Sequence, residues 1–138
     1  MRYLLLAAAT LASMLSVPMR VSAAVNPDGT WLVNERVAFE VFPCQDALCG
    51  RIVWLRNPQL RTHGMCGRTI IWGLTSDGPA QWANGWFFDP ENGATYNVSA
   101  HVDGEDRISA RIYRGFSVFG RTEILTRIES RSLSGWCE

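Results

Sequence analysis

The feature that most constrains this chain is a strict alternation of apolar and polar residues. It is clearest between residues 95 and 102, and it returns between residues 107 and 112 after a turn at 103–106. The apolar members of the first run are Tyr96, Val98, Ala100 and Val102. A period of two predicts β-strands with one face packed and the other in water, here joined as a hairpin.

Six further strands are predicted from the same kind of pattern, at residues 30–33, 37–43, 50–55, 69–72, 85–88 and 118–128. Turn-forming residues separate most of them, and no segment beyond residue 24 keeps a helical period for three turns. Eight short strands predict an all-β fold, either a small antiparallel up-and-down barrel or an open β-sandwich. A barrel of eight strands is filled by side chains or holds one small ligand.

The first residues predict an exported protein. Arg2 precedes an apolar run over residues 3–17, and small residues follow at 21–24. This pattern is typical of a signal peptide over residues 1–23, cleaved after Ala23 or Ala24, and it leaves one barrel domain over residues 24–138. The apolar run is shorter than the roughly 20 residues of a membrane-spanning helix, so we expect no stable membrane insertion and a periplasmic or secreted location.

Four cysteines lie beyond the predicted leader, in a compartment where disulfides form and persist. Cys44 and Cys49 flank a short polar stretch and can meet across a hairpin, which leaves Cys66 to pair with Cys137. The sequence alone leaves the other two pairings open. A bridge between Cys66 and Cys137 would stabilise so small a domain by about 4 kcal/mol.

The charge of the chain argues against a nucleic-acid partner. The sequence has 13 basic and 13 acidic residues, and removing Arg2 and Arg20 with the leader leaves 11 against 13, a net charge of minus two. Such a chain lacks the excess of basic residues that binding to phosphates requires.

Residues with catalytic or metal-binding chemistry are few. The two histidines are His101, on the polar side of its predicted strand, and His63, three residues before Cys66 in a loop. Neither has a neighbouring nucleophile motif, and export favours a disulfide over a metal at Cys66. Asp89 and Glu91 could supply a carboxylate pair, but they lie in a turn where Asp89 is expected to cap backbone amides. We therefore predict no catalytic residue, no metal and no cofactor, and a protein that is not an enzyme.

Short motifs spread along the chain resemble those of one bacterial family. They are Pro43-Cys44, Leu48-Cys49-Gly50-Arg51-Ile52-Val53-Trp54-Leu55, Asn57-Pro58, Asp89-Pro90 and Phe119-Gly120-Arg121-Thr122. Together they resemble the family termed domain of unknown function 2147, although Leu125 stands where its members usually have a tryptophan. The resemblance implies a secreted or periplasmic β-barrel and brings no activity with it.

A second resemblance concerns the start of the predicted barrel. Gly29-Thr30-Trp31 resembles the Gly-x-Trp motif of the calycin barrels, which include the lipocalins. The resemblance implies that Trp31 lies across the closed end of the barrel, under an arginine of the last strand, and Arg127 is placed to be that arginine. Such a cation–π pair is worth roughly 0.5–2 kcal/mol and would seal the barrel rather than bind a ligand.

The aromatic residues carry the functional prediction. The chain has six tryptophans, and an aromatic cluster lies between Trp82 and Phe88. We predict a non-enzymatic binding module that holds a small apolar or amphipathic ligand, or an envelope component, in a cavity open at one end. The alternative is a small secreted inhibitor or envelope-interaction protein that binds a protein or glycan through that cluster as an exposed patch. The residues predicted to line the cavity are Trp54, Trp72, Trp86 and Tyr96.

Overall fold

The fold was obtained as a computed structural model, which describes residues 16–20 and 25–137. Most of the predicted signal peptide over residues 1–23, together with both predicted cleavage positions, lies outside the described residues. Residues 16–20 are exposed and have no regular secondary structure.

Eight antiparallel strands follow one another around a closed barrel, each paired with the next along the chain. The last strand pairs with the first, with Val33 opposite Leu125, and this pairing closes the barrel. The predicted all-β barrel is therefore confirmed, and the open sandwich is excluded. The strands are β1 Gly29–Val33, β2 Val37–Cys44, β3 Ala47–Leu55, β4 Thr69–Ser76, β5 Gln81–Asp89, β6 Ala94–Asp103, β7 Arg107–Tyr113 and β8 Arg121–Ile128.

Helical structure is confined to two short segments of the described chain. The helix α1 spans Pro58–Thr62, and its N-cap Asn57 accepts a hydrogen bond from the Gln59 amide at 3.0 Å. Proline at the first helical position suits this start, because its missing N–H has no partner there in any case. Within residues 16–20 and 25–137, no helix is long and apolar enough to cross a membrane.

The beginning of the last strand corrects the sequence prediction, which started it at Val118. Residues Ser117–Phe119 instead form a 3-10 turn, and β8 starts only at Arg121. Arg111 on β7 stabilises this turn, since its guanidinium donates to the carbonyl oxygens of Ser117 and Val118 at 2.8 and 3.2 Å. These carbonyls are therefore taken up by a side chain instead of a strand ladder.

Antiparallel order sorts the connections into two ends. The connections β1–β2, β3–β4, β5–β6 and β7–β8 lie at one end, which we call the open end. The connections β2–β3, β4–β5 and β6–β7, with residues 25–28, lie at the other, which we call the closed end. Between them, the side chains that point inward along the strands form the core, and the most completely buried large ones are Trp31, Ile52, Leu55 and Ile70.

Two disulfides form, and they differ in reach. Cys44–Cys49 bridges the β2–β3 hairpin, whereas Cys66–Cys137 joins the β3–β4 connection to the C-terminal tail across 71 residues. The tail lies along β3, where the Cys137 amide donates to the Val53 carbonyl at 2.7 Å. Two disulfides are consistent with an exported protein.

Candidate ligand cavity at the open end of the barrel

The closed end is sealed around Trp31. This side chain has no exposed surface, and its indole N–H donates to the Pro27 carbonyl at 2.9 Å. The guanidinium of Arg127 lies 4.2 Å from the centre of the indole ring, which is the pairing that the Gly-x-Trp resemblance implies. Gly29 has a φ of +130°, which favours glycine, and a Cβ there would stand 2.6 Å from Arg127 Nη1 and would displace the guanidinium from its place.

Arg127 also ties the chain together around this tryptophan. Its Nη1 and Nη2 donate to the carbonyl oxygens of Asp28 and Asn26 at 2.7 and 3.0 Å, and its Nε donates to the carbonyl oxygen of Glu105. The segment before β1 and the β6–β7 turn are thereby held against the ring. Trp31 and Arg127 therefore form a packed plug at the closed end.

The open end contains a cavity of about 330 Å³. This volume lies at the lower end of the roughly 300–1,000 Å³ that small-molecule pockets occupy. Every one of the eight strands contributes at least one residue to its lining. The wall is mainly aliphatic and aromatic: Val33, Val37, Phe39, Leu55, Ile70, Ile71, Phe87, Val98, Ala110, Ile112 and Leu125.

A second, smaller cavity of about 40 Å³ lies further toward the closed end. Its lining is apolar, so it is expected to stay dry. Four residues line both cavities and form the partition between them: Ile71, Val98, Ala110 and Leu125.

The rim of the large cavity is polar. Arg121, at the start of β8, lies between two carboxylates, 3.7 Å from Asp89 and 3.1 Å from Glu123. Across the mouth, Arg36 pairs with Glu91 at 2.9 Å. Apolar walls beneath a charged rim suit a molecule with an apolar body and a polar group at one end.

One rim cation differs from the others. Arg56 lines the cavity, and its side chain has no hydrogen bond or ion pair with any of the described residues. Its backbone is fixed by a hydrogen bond from its amide to the Arg36 carbonyl at 2.8 Å. A guanidinium in this state can donate to an anionic or polar group of a ligand.

The helix α1 borders the mouth on the β3–β4 side. Its Leu60 lines the cavity and packs on the core. The following Arg61 donates to the Leu55 carbonyl at 2.6 Å and lies 5.9 Å over the Trp54 ring, which orients α1 against β3. Because the β3–β4 connection also carries Cys66, the Cys66–Cys137 disulfide anchors this side of the mouth to the tail.

None of the four residues predicted to line the cavity is among the residues that surround it. Trp54 donates from its indole to the Ser134 carbonyl at 2.8 Å and so holds the tail. Trp72 and Trp86 face each other across β4 and β5 and are 38% and 44% exposed, because register places both on the outer face. Tyr96 is separated from the cavity by Phe87, the wall residue on whose ring it stacks. A ligand role for any of the four stays a prediction.

The aromatic cluster between Trp82 and Phe88 is divided between the two faces of the sheet. Trp82 lines the small cavity and Phe87 the large one. Trp86 is outside, and Phe88 lies under the guanidinium of Arg68 at 5.6 Å. The exposed part of this cluster is therefore limited to Trp86, beside Trp72.

Several wall residues were not predicted, although their place in apolar strand segments indicated the inner face. Phe39 and Val37 lie in a predicted strand, and Phe87 stands between two other aromatic residues, so each was a candidate for the inner face. The rim had no such signal. Arg36 and Glu91 meet across 55 residues of sequence, and only the closed barrel brings them together.

The candidate catalytic and metal-binding residues are not assembled into a site. His101 pairs with Asp103 at 2.9 Å on the exposed surface, and His63 is exposed beside a Cys66 that is held in a disulfide. Asp89 caps the Glu91 amide at 2.9 Å. In the part of the chain that the structure describes, no group of three or more potential metal ligands occurs.

An up-and-down barrel of eight strands, sealed at one end and hollow at the other, defines a lipocalin-like barrel. A solved structure supports this class: protein HP1028 from the human pathogen Helicobacter pylori, which is described as a member of the lipocalin family. The two share 15% identity over 77% of this chain and 85% of that one, with a TM-score of 0.62. At this identity the likeness concerns the fold alone.

The particular family follows from the sequence. The chain matches the profile described as "Uncharacterized protein conserved in bacteria (DUF2147)" over residues 29–127. It belongs to this family, and the resemblance that the short motifs indicated is confirmed. Comparison with the curated proteins gives no match.

Proposed function

We propose that this protein is an exported, non-enzymatic binding module of the periplasm or the extracellular space, which holds a small apolar or amphipathic molecule inside its barrel. The observation that carries the proposal is the cavity of about 330 Å³ at the open end, with apolar walls from all eight strands and charged residues only at its rim. Burying the apolar part of a ligand there would supply roughly 25 cal/mol per Å² removed from water.

The difference between the packed end and the hollow end of the barrel supports the proposal. Trp31 and Arg127 pack together at one end, and the large cavity lies at the other. The side chain of Arg56 at that mouth has no partner among the described residues, so its guanidinium can donate to a ligand. A ligand would therefore lie with its apolar part inward and its polar group beside the rim.

Binding can be tested by titrating anilinonaphthalene sulfonate, an amphipathic fluorescent probe, into the purified protein. Ala110 is buried and lines both cavities, so a phenyl ring in Ala110→Phe would fill space that a ligand needs. We expect this substitution to weaken probe binding by at least about tenfold, or 1.4 kcal/mol, with a stability cost of about 1–3 kcal/mol.

The neighbouring Ser109→Phe is the matched control, because its side chain points away from the lumen and bonds Asp103 at 3.3 Å. This variant should bind the probe as the wild type does. Equal affinity of the wild type and a folded Ala110→Phe variant would show that the probe binds outside the barrel. Native mass spectrometry of protein purified from its own envelope would then look for a bound small molecule directly.

The alternative function, an inhibitor or envelope-interaction protein that binds through an aromatic patch, stays a prediction. The exposed pair Trp72 and Trp86 is what supports it. A partner protein or glycan on this surface would leave probe binding in the cavity unchanged.

A further inference from the structure

The connection between β7 and β8, residues 114–120, displays large apolar side chains to solvent. We call it the apolar loop. Phe116, Val118 and Phe119 are 74%, 74% and 81% exposed. Single exposed apolar residues are ordinary on protein surfaces, but three within four positions form a patch, and exposed apolar patches are typical of interaction sites.

The apolar loop has a fixed shape. Arg111 binds the carbonyl oxygens of Ser117 and Val118, and the Phe119 amide donates to the Phe116 carbonyl at 3.1 Å. Gly120 closes the turn at a position where a Cβ would collide with the backbone carbonyl of Ile112. The rings are therefore presented by an ordered turn, which has little conformational entropy left to lose on binding.

The position of the loop relates it to the cavity. Ile112 precedes it and Arg121 follows it, and both of these residues line the cavity mouth. A broad surface that covered the apolar loop would therefore also lie over or beside the opening. Apolar molecules of the size that the cavity admits are most concentrated in lipid rather than in water.

The charge of the loop indicates which surface it fits. Residues 114–120 contain Arg114 and no acidic residue. The Arg114 guanidinium is exposed and lies 4.7 Å over the Tyr96 ring, with the Arg121 guanidinium 5.2 Å from the same ring. Arg121 is already paired with Asp89 and Glu123, so Arg114 is the cation that the loop itself offers to a headgroup. Apolar side chains beside this arginine match the interface of a membrane, where acyl chains take the former and an anionic headgroup the latter.

We infer that the apolar loop docks the barrel reversibly, open end first, onto the surface of a membrane that contains anionic phospholipid. The inference rests on the proposed function in one respect: docking brings the mouth of the cavity to the phase in which an apolar ligand is stored. The contact is peripheral, made by side chains of one loop.

Co-sedimentation with vesicles tests the inference. The purified protein is mixed with vesicles of phosphatidylglycerol and phosphatidylethanolamine in equal parts, and with vesicles of phosphatidylcholine alone. The wild type should sediment with the anionic vesicles and more weakly with phosphatidylcholine. The triple variant Phe116→Ser/Val118→Ser/Phe119→Ser should lose at least about tenfold of this partition, because the buried apolar area is the main source of interfacial binding.

The control is Trp72→Ser/Trp86→Ser, which removes exposed apolar surface from the middle of β4 and β5 and should sediment as the wild type does. A single Phe119→Ser variant, expected to show a smaller loss in the same direction, serves if the triple variant does not unfold cooperatively. Probe binding without vesicles should be the same in the triple variant and the wild type, so that a failure of docking is distinguished from a failure of the cavity.

Three results would overturn the inference. The wild type could fail to sediment with anionic vesicles, or the triple variant could sediment as well as the wild type. The third is a wild type that self-associates in vesicle-free light scattering, with the triple variant monomeric and no vesicle binding by either, which would make the loop a contact between copies of the chain.

Discussion

Arg127 at the closed end and Arg56 at the open end show how one residue type takes two roles. Arg127 donates hydrogen bonds from three nitrogens to backbone carbonyls, and its guanidinium lies over the Trp31 ring. Arg56 lies on the cavity rim, and its side chain donates to no described residue. An arginine whose donors are satisfied within the protein contributes to stability, and one whose donors remain available can contribute to recognition.

The same contrast extends to the surroundings of each residue. At the closed end, a Cβ at Gly29 would displace the Arg127 guanidinium, so the packing is tight. At the open end, the ion pair Arg36–Glu91 has partners 58% and 46% exposed, and such pairs contribute little to stability. Substitutions at the closed end should therefore affect unfolding, and those at the open end should affect binding.

The largest expected effect is that of Trp31→Ala. Removing a fully buried indole should lower the free energy of unfolding by about 3–5 kcal/mol, through lost burial and the cavity left behind. Denaturant unfolding measures this, with Trp86→Ala as a control that should cost less than about 1 kcal/mol because Trp86 is 44% exposed. Equal losses in the two variants would mean that Trp31 is not a plug.

Arg127→Met comes next. It keeps an apolar stem over Trp31 but removes the charge and the bonds to three carbonyls, and we expect a loss of about 2–3 kcal/mol in unfolding free energy. Arg107→Met is the matched control, since Arg107 is exposed and its ion pair with Asp103 is 4.0 Å long. Probe affinity should be unchanged in folded Arg127→Met. A marked loss of affinity would show that the closed end also contributes to ligand binding.

The smallest expected effect is that of Arg56→Gln, which tests whether Arg56 recognises the charged group of a ligand. We expect Arg56→Gln to weaken binding of decanoate about fivefold, or roughly 1 kcal/mol, and to weaken binding of decanol less, because the bond from the guanidinium is stronger to a charged headgroup than to a neutral hydroxyl. Displacement of the fluorescent probe measures both affinities. Arg107→Gln should change neither, and equal losses for decanoate and decanol in Arg56→Gln would show that the residue acts by packing alone.

The fold could be predicted from the sequence because period-two alternation is local. In β6 the inward positions Val98 and Val102 follow directly from the pattern. In β5 the pattern fails, since Trp86, Phe87 and Phe88 are all aromatic and a bulge shifts the register between Trp82 and Gly85. Apolar character alone does not decide which ring faces inward there; Phe87 lines the cavity, whereas Trp86 is exposed.

The site was less predictable than the fold for a different reason. The rim is assembled from connections that are distant in sequence, such as the β1–β2 turn with Arg36 and the β5–β6 turn with Glu91. Charged residues are common in turns, so no single segment of the sequence indicates that it forms part of a binding rim. Trp31 with Arg127 could be anticipated only through a motif that resembles a known class of barrel.

The way in which this barrel closes has a consequence for its formation. A chain is made from its N-terminus, and Cys44 and Cys49, five residues apart, can pair as soon as β2 and β3 exist. The pairing of β1 with β8 has to wait for the last strand, and so has the Cys66–Cys137 bridge that follows it. Until then, β1 and β7 are open edges flanking an exposed apolar interior, the arrangement most prone to aggregation. The cavity therefore has a complete wall only when β8 has paired with β1, so the ability to bind a ligand depends on the last strand to be made.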